Sequence, residues 1–418
     1  MTYGPGPLRA DAVTRRALAG LVLGRIGVDG GSRAILPFLP VVAAGLDLTF
    51  RDLALLVALR SATGLAGPRL ARAVRGRSRR SVLVGACLLT CAGCLALIAP
   101  TTVLDTVHVG LDGRTLMVAA GFMATGLARP LFDIAAQSWI AGAVAPGRIG
   151  RATGIVELGW ALSLAATVPA AGMLIGPFGW RVIGLLTAGY ALVGAVAVAR
   201  LVPRGQVRER IPAPVARPVR CRVPALVVAV ALTVAAAESL LVVYGAWTVD
   251  DLGLSAVSVG LSALVIVAAE LVGELVAATV ADRWGLQRTV LAGLAVLAPV
   301  YLLLGSAGLP LAAVAVVVWF AAFELVLVAL VAMGTAMPTR SRTRTVAAVA
   351  AAIGVGNLIG ALLAPLIYDR GGMALSGPVA ALFVGAAAAV LVGDSVLVRR
   401  RGLAHVEQPV AALEGVDR

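Results

Sequence analysis

Apolar runs of about twenty residues recur along the whole chain, each broken by a short stretch rich in Arg, Gly, Pro or Asp. A helix needs about 20 such residues to cross a hydrocarbon core. Twelve windows meet that length: 17–45, 52–72, 81–100, 115–142, 150–176, 180–202, 224–248, 256–280, 287–306, 309–333, 346–368 and 376–398. The expected fold is an all-α membrane protein of twelve transmembrane helices. The longest joint between spans, "RLVPRGQVRERIPAPVARPVRCRV" at 200–223, is basic and Pro-rich, a composition suited to a flexible linker. It separates six spans from six. The expected organisation is a tail (1–16), a six-helix bundle (17–203), a basic linker (204–223), a second six-helix bundle (224–398) and a tail (399–418). The halves echo one another: "RRSVLVGACLL" (79–89) follows span two, and "QRTVLAGLAVL" (287–297) follows span eight.

Composition agrees with lipid as part of the solvent. Of 418 residues, 60% are hydrophobic and 13% charged, where a soluble domain carries about a quarter charged. Mean hydropathy is +0.98. The net charge of +14 comes from Arg alone, since the chain has no Lys. With the N-terminus placed inside, 27 of the 35 basic residues fall in inside segments, and outside loops hold only Arg51, Arg114, Arg181 and Arg370. This positive-inside asymmetry puts both termini in the cytoplasm. It also accounts for the high pI without a nucleic-acid partner. The first apolar run is too long for a cleaved signal and contains charge, so it reads as a retained helix.

Charge inside the spans is costly, at least about 2.5–3.5 kcal/mol per residue at mid-bilayer, and therefore marks function or pairing. Arg25, Asp29 and Arg33 lie four residues apart in span one and form one stripe. Arg129 and Asp133 do the same in span four, with Gln137 below them, while Glu238 and Glu324 sit near the middle of spans seven and ten. Two readings remain open for each: a polar translocation site, or fixed ion pairs that hold helices together. Glu238 or Glu324 is the expected proton carrier, with Asp29 or Asp133 next, because neither Glu has an intramembrane Arg close in sequence. Glu157, and the pair Glu270 and Glu274 one turn apart, are secondary candidates. The pair either shares a proton or cation, or neutralises loop arginines such as Arg283. Arg60 in span two is expected to pair with one of the acids. Asn357, inside "GVGNLIG" (354–360), is a candidate cavity hydrogen-bonder. The Gly356/Gly360 spacing there suits tight helix packing. "PFLP" (37–40) is expected to bend span one.

Absences narrow the chemistry. Without Lys there is no Walker lysine, so ATP-driven transport by this chain is disfavoured. The two His, His108 and His405, fall in an outside loop and a tail, and no hydrolase constellation is evident. No enzyme activity, cofactor or metal is expected. Cys87, Cys91 and Cys94 share one apolar helix and read as small packing residues.

"ATVADRWGLQR" (278–288) resembles the loop signature of the major facilitator superfamily, with Asp282, Arg283 and Gly285 matching the D-R-x-G core. In that family the motif lies between spans two and three and again between spans eight and nine, and contributes to a cytoplasmic gate. The first-half loop "ARAVRGRSRR" (71–80) keeps the basic end and lacks the Asp. Span four keeps Arg129 of the family's R-x-x-q-G pattern, with Asp133 where Gly is usual. Span five, "ELGWALSLAATVPAAGM" (157–173), keeps Pro169 and Gly172 of a Gly-rich antiporter signature. The resemblance implies that spans one, four, seven and ten line a central cavity, which gives each of those helices an ionisable residue at similar depth. It further implies a secondary active transporter of the plasma membrane (a bacterial inner membrane), with proton-coupled export of a small organic molecule by alternating access. The expected partners are that solute, protons and the bilayer, with no oligomer required. Movement of a lipid or lipid precursor between leaflets is the alternative, and a non-transporting receptor or scaffold is a third.

Overall fold

A computed structural model describes residues 7–74, 77–99, 113–144, 149–204, 222–306, 308–336 and 342–406. Most of the linker 204–223 and parts of both tails lie outside these residues. Among them, ten helices are long and apolar enough to cross a membrane. The chain is a multi-pass, all-helical protein.

The first span is built in pieces. Helix α1 (Pro7–Arg33) gives way to a 3-10 turn at Leu36–Phe38 and a short α2 (Leu39–Gly45). Pro37 and Pro40 cause the break: neither can donate to the preceding turn, and each opens a new helix at its first positions. Helix α3 (Phe50–Ala62) starts with a capping box, in which Thr49 Oγ1 accepts from the Asp52 amide at 3.1 Å while the Asp52 carboxylate accepts from the Thr49 amide. Thr49→Ala is expected to cost about 1 kcal/mol of stability, read as a small loss of midpoint in detergent unfolding.

The expected span 52–72 is interrupted. A 3-10 turn at Thr63–Ala66 separates α3 from α4 (Gly67–Val74), whose arginines leave it short and polar. This accounts for part of the difference between twelve expected spans and ten. The rest lies at the C-terminal end. After α5 (Arg79–Ile98), α6 (Gly113–Ala143), α7 (Ile149–Phe178), α8 (Val182–Leu201), α9 (Val223–Ala246), α10 (Ala256–Trp284), α11 (Leu286–Leu304) and α12 (Leu309–Ala336), a continuous segment α13 runs Arg342–Val406. It covers both 346–368 and 376–398. Gly371 (φ −163°, ψ 21°) and Gly372 (φ +56°, ψ −152°) break its helical path with a two-residue turn between two helices, and the positive φ at Gly372 is one that Gly enters freely.

Helices approach one another closely wherever Gly removes a side chain. A Cβ on Gly27 would sit 2.7 Å from Ala191 Cα, so α1 lies directly on α8. Gly356 and Gly360 let α13 press onto α9, since a Cβ at either would lie 2.5 or 2.6 Å from the Ala231 or Ala235 carbonyl. The G-x-x-x-G face is thus used up inside the molecule. Cys87 and Cys94 sit against α1, with their thiols toward the carbonyls of Gly24 and Gly31. First- and second-half helices meet where Gly354 of α13 faces Gly64, and most tightly at one end of the bundle. There Gly245 of α9 lies on the Pro37 carbonyl, with 2.3 Å left for a Cβ, and Gly172 of α7 lies on Gly260 of α10, with 3.0 Å left.

Candidate functional site

Helix α1 organises the charges. Arg25 is buried and reaches three carboxylates at once: Asp29 on its own helix (Nε to Oδ2, 3.2 Å), Asp133 of α6 (2.7 Å) and Glu157 of α7 (2.7 Å). The 25/29 spacing brings Asp29 beneath Arg25 one turn away. Gly159 lets α7 come close, since a Cβ there would lie 3.0 Å from Arg25 Cβ. Asp29, 1% exposed, also takes Arg129 of α6 at 3.4 Å. The Gln137 amide donates to Glu157, and Thr153 donates to Gln137, extending the network toward the helix ends.

One turn along the stripe, Arg33 turns to the other half. Its Nη2 meets Glu270 of α10 at 2.6 Å, with both groups buried. Its Nη1 donates to the Trp160 carbonyl at 3.2 Å. The guanidinium carbons of Arg33 and Arg129 lie 3.8 and 4.2 Å from the centre of the Trp160 ring. An aromatic face so placed favours cations and strengthens as water is excluded. Arg60 of α3 donates to the Ser32 carbonyl rather than to a carboxylate.

Glu238 of α9 and Glu324 of α12 are each 8% exposed, and among the described residues neither has an ion pair or hydrogen bond. The cations that act on Glu238 are Arg60, Arg129 and Arg33, all from the first half. The charges around Glu324 are chiefly Glu270 and Glu274, with Arg33 opposed to them. The structure therefore brings every candidate of spans one, four, seven and ten into one electrostatic neighbourhood, and adds Glu157 and Glu270 to it. Glu270 answers an arginine of the opposite half, not Arg283, which is exposed at the end of α10. Asn357 is half-buried and makes no side-chain hydrogen bond among the described residues.

Exposure grades along the cluster. Arg33 and Glu270, nearest the Pro37–Gly245 closure, are buried, whereas the side chains of Asp133 and Glu157 are each 39% exposed. The network is therefore shut at the Pro37–Gly245 end and wetted from the end toward which Gln137 and Thr153 lead. In the loop motif, Gly285 has φ +85° and joins α10 to α11 with no intervening residue. That backbone requirement explains Gly at this place in the signature. The side chain of Asp282 lies outside what the structure describes.

The family model described as Major Facilitator Superfamily matches residues 21–269, more than half of the chain. The chain is a member of the major facilitator superfamily. Solved structures of the same fold include a bacterial homologue of the iron transporter ferroportin in an inward-facing state (15% identity, 94% of this chain and 100% of that one, TM-score 0.69). A POT family transporter in complex with a thioalcohol-conjugated peptide matches at 14% identity over 93% and 96%, TM-score 0.69. A D-xylose-proton symporter matches at 17% identity over 89% and 96%, TM-score 0.66. At such identities the likeness establishes the fold. A sequence search of curated proteins gives no significant match. Members of the superfamily are transporters rather than enzymes, so the chain carries a major facilitator transporter fold.

Sequence reasoning missed Trp160. It falls three residues after Glu157, one turn along the same helix face, and an aromatic one turn from a membrane carboxylate was the available signal.

Proposed function

We propose that this superfamily member is a secondary active transporter of the plasma membrane that couples protons to the export of a small organic molecule. In this reading both termini are cytoplasmic. The six-helix bundles 17–203 and 224–398, joined by the basic linker, rock about the charged network. The observation that supports it most is the pair Glu238 and Glu324: two second-half carboxyls, each on a residue 8% exposed and without an ion pair or hydrogen bond among the described residues, Glu238 facing arginines of the first half and Glu324 facing chiefly Glu270 and Glu274. A carboxyl held without a partner is poised to exchange a proton as its surroundings change. The Arg25 cluster supplies a fixed polar wall beside it, and Asp133 and Glu157 give the wet edge.

The test is solute-triggered proton movement in proteoliposomes with an imposed pH gradient, read by a pH-sensitive dye trapped inside. A panel of cationic, zwitterionic, neutral and anionic solutes, with lipid analogues included, identifies what is moved. Glu238→Gln or Glu324→Gln is expected to cut solute-coupled proton flux at least tenfold while the protein remains folded. Unchanged coupling in both variants would overturn the proposal. Scrambling of a lipid analogue without proton movement would replace it with the leaflet-translocation reading.

A further inference from the structure

The charge census of the two halves is unequal. The first half contributes Arg25, Arg33, Arg60 and Arg129, largely answered by its own Asp29, Asp133 and Glu157. The second half contributes carboxylates only. Glu270 and Glu274 stand one turn apart on α10, and Glu324 stands on α12 beside them. The two helices are held together where Gly273 meets Ala321, with 2.2 Å between a Cβ at 273 and the Ala321 carbonyl. Glu324 follows Ala321 by one turn, and Glu270 precedes Gly273 by one turn. Among the described residues no second-half cation is paired with this group.

Two of its members are left incomplete. Glu270 is 3% exposed, and its Oε2 has no hydrogen-bond partner while Oε1 binds Arg33. Glu324 has no partner at all among the described residues. The Glu270 Oε2 is fully buried, and a buried polar atom without a partner is rare in folded proteins and calls for a reason. The group filling part of the recess is itself informative. Arg33 is a planar N–H cation, lying 3.8 Å from the Trp160 ring and donating to a carboxylate. It comes from the opposite half on α1, so in this conformation a tethered cation occupies an acidic recess. A narrow, mainly apolar cleft of about 20 Å³, lined by Arg33, Leu164, Tyr244, Ile266 and Phe320, adjoins it on the Arg33 side.

We infer that the solute bears a cationic N–H group, an ammonium or guanidinium, and that this group binds at Glu270 and Glu324 in the place Arg33 holds here. The inference rests on the transport reading and names its substrate class. Arg33 is then a built-in competitor. The solute's cation takes Glu270 from Arg33 and in doing so releases an ion pair between the halves, so loading and parting of the halves are linked.

The test reads binding alone, on the purified full-length protein in detergent with no gradient. The probe is dansylcadaverine, a fluorescent primary ammonium. Its neutral N-acetyl derivative and the dansylglycine anion are the controls. The wild type is expected to bind the ammonium saturably and the controls at least tenfold more weakly. Glu324→Gln, which keeps size and removes charge, is expected to weaken ammonium binding at least tenfold. Arg33→Gln is expected to tighten it at least threefold, since the competitor is gone. Should Arg33→Gln alone misfold, Arg33→Gln/Glu270→Gln removes both partners, and its ammonium affinity is expected to fall below that of the wild type. Equal binding of ammonium and N-acetyl probe, or an ammonium affinity indifferent to Glu324→Gln, would overturn the inference. Proton-coupled flux of a non-cationic solute would overturn it too and leave the transport reading standing. Ammonium binding without pH-driven flux would do the reverse.

Discussion

Replacing Arg25 by Gln is expected to destabilise the folded protein by about 3–5 kcal/mol, the largest loss of any single charge in the bundle. Arg25 is the common partner of Asp29, Asp133 and Glu157, at 3.2, 2.7 and 2.7 Å. Its removal leaves three carboxylates converging with only weaker contacts, Arg129 to Asp29 at 3.4 Å and the Gln137 amide to Glu157 at 3.4 Å. Asp29 is almost completely buried and suffers most. Asp133 and Glu157 reach water and suffer less, because exposed charges are screened. Combining Arg25→Gln with Asp29→Asn is expected to recover more than half of the loss. Combining it with Glu157→Gln recovers less. Unfolding by SDS titration in mixed micelles gives the comparison. A loss under 1 kcal/mol in Arg25→Gln would show that the three acids are held by something other than this guanidinium.

The second large effect is conformational. Gly245→Leu is expected to open the end of the bundle that the structure shows closed, with solute flux falling at least tenfold while the fold persists. There is no room for the new side chain, because even its Cβ would lie 2.3 Å from the Pro37 carbonyl oxygen. That contact is backbone on both sides and joins α9 to the turn after α1, so no rotamer change relieves it. Overpacking of this kind costs about 1–3 kcal/mol, and a bias of that size shifts a two-state population roughly 5- to 150-fold. Spin labels at Phe178 and Val257, exposed residues on opposite halves near this end, would report the change in a cysteine-free background. A single short distance in the parent is expected to become a mainly longer one in Gly245→Leu. Gly172→Leu, at the crossing with Gly260, is expected to act in the same direction and less strongly, since the space there is 2.7–3.0 Å. An unchanged distance distribution in both variants would mean that these crossings do not hold the end shut.

Much of this architecture could be read from the chain because lipid imposes a simple rule: about twenty apolar residues per crossing, with every backbone group satisfied inside the helix. The rule failed where length and backbone disagree. At 52–72 the count of apolar residues is sufficient, but Gly64 and Gly67 allow a 3-10 turn that divides the segment. At 369–373 the expected break between two runs is present, reduced to the non-helical pair Gly371 and Gly372, so the two expected spans follow each other almost without a loop. Candidate charges were visible individually, since each is costly in a membrane, and the i to i+4 stripe of Arg25, Asp29 and Arg33 correctly tied two of them together. Their partners across helices were not visible. Nothing in the sequence pairs Arg33 with Glu270, which are 237 positions apart, or brings Arg25 to Glu157. Such contacts depend on helix rotation, set by glycines such as Gly159 and Gly273 whose neighbours only the fold supplies.

The two-residue turn at Gly371–Gly372 has a mechanical consequence. Two residues span about 7 Å even when extended, so the helical arms before and after the turn have no slack between them. A shift at the turn end of either arm must carry the adjoining end of the other with it, as in a jointed lever. The first arm of that lever carries Gly354, which rests against Gly64 of the opposite half, and Gly360, which rests against Glu238. Displacement at the half-to-half contact is thereby geared directly to the backbone that houses a buried acid.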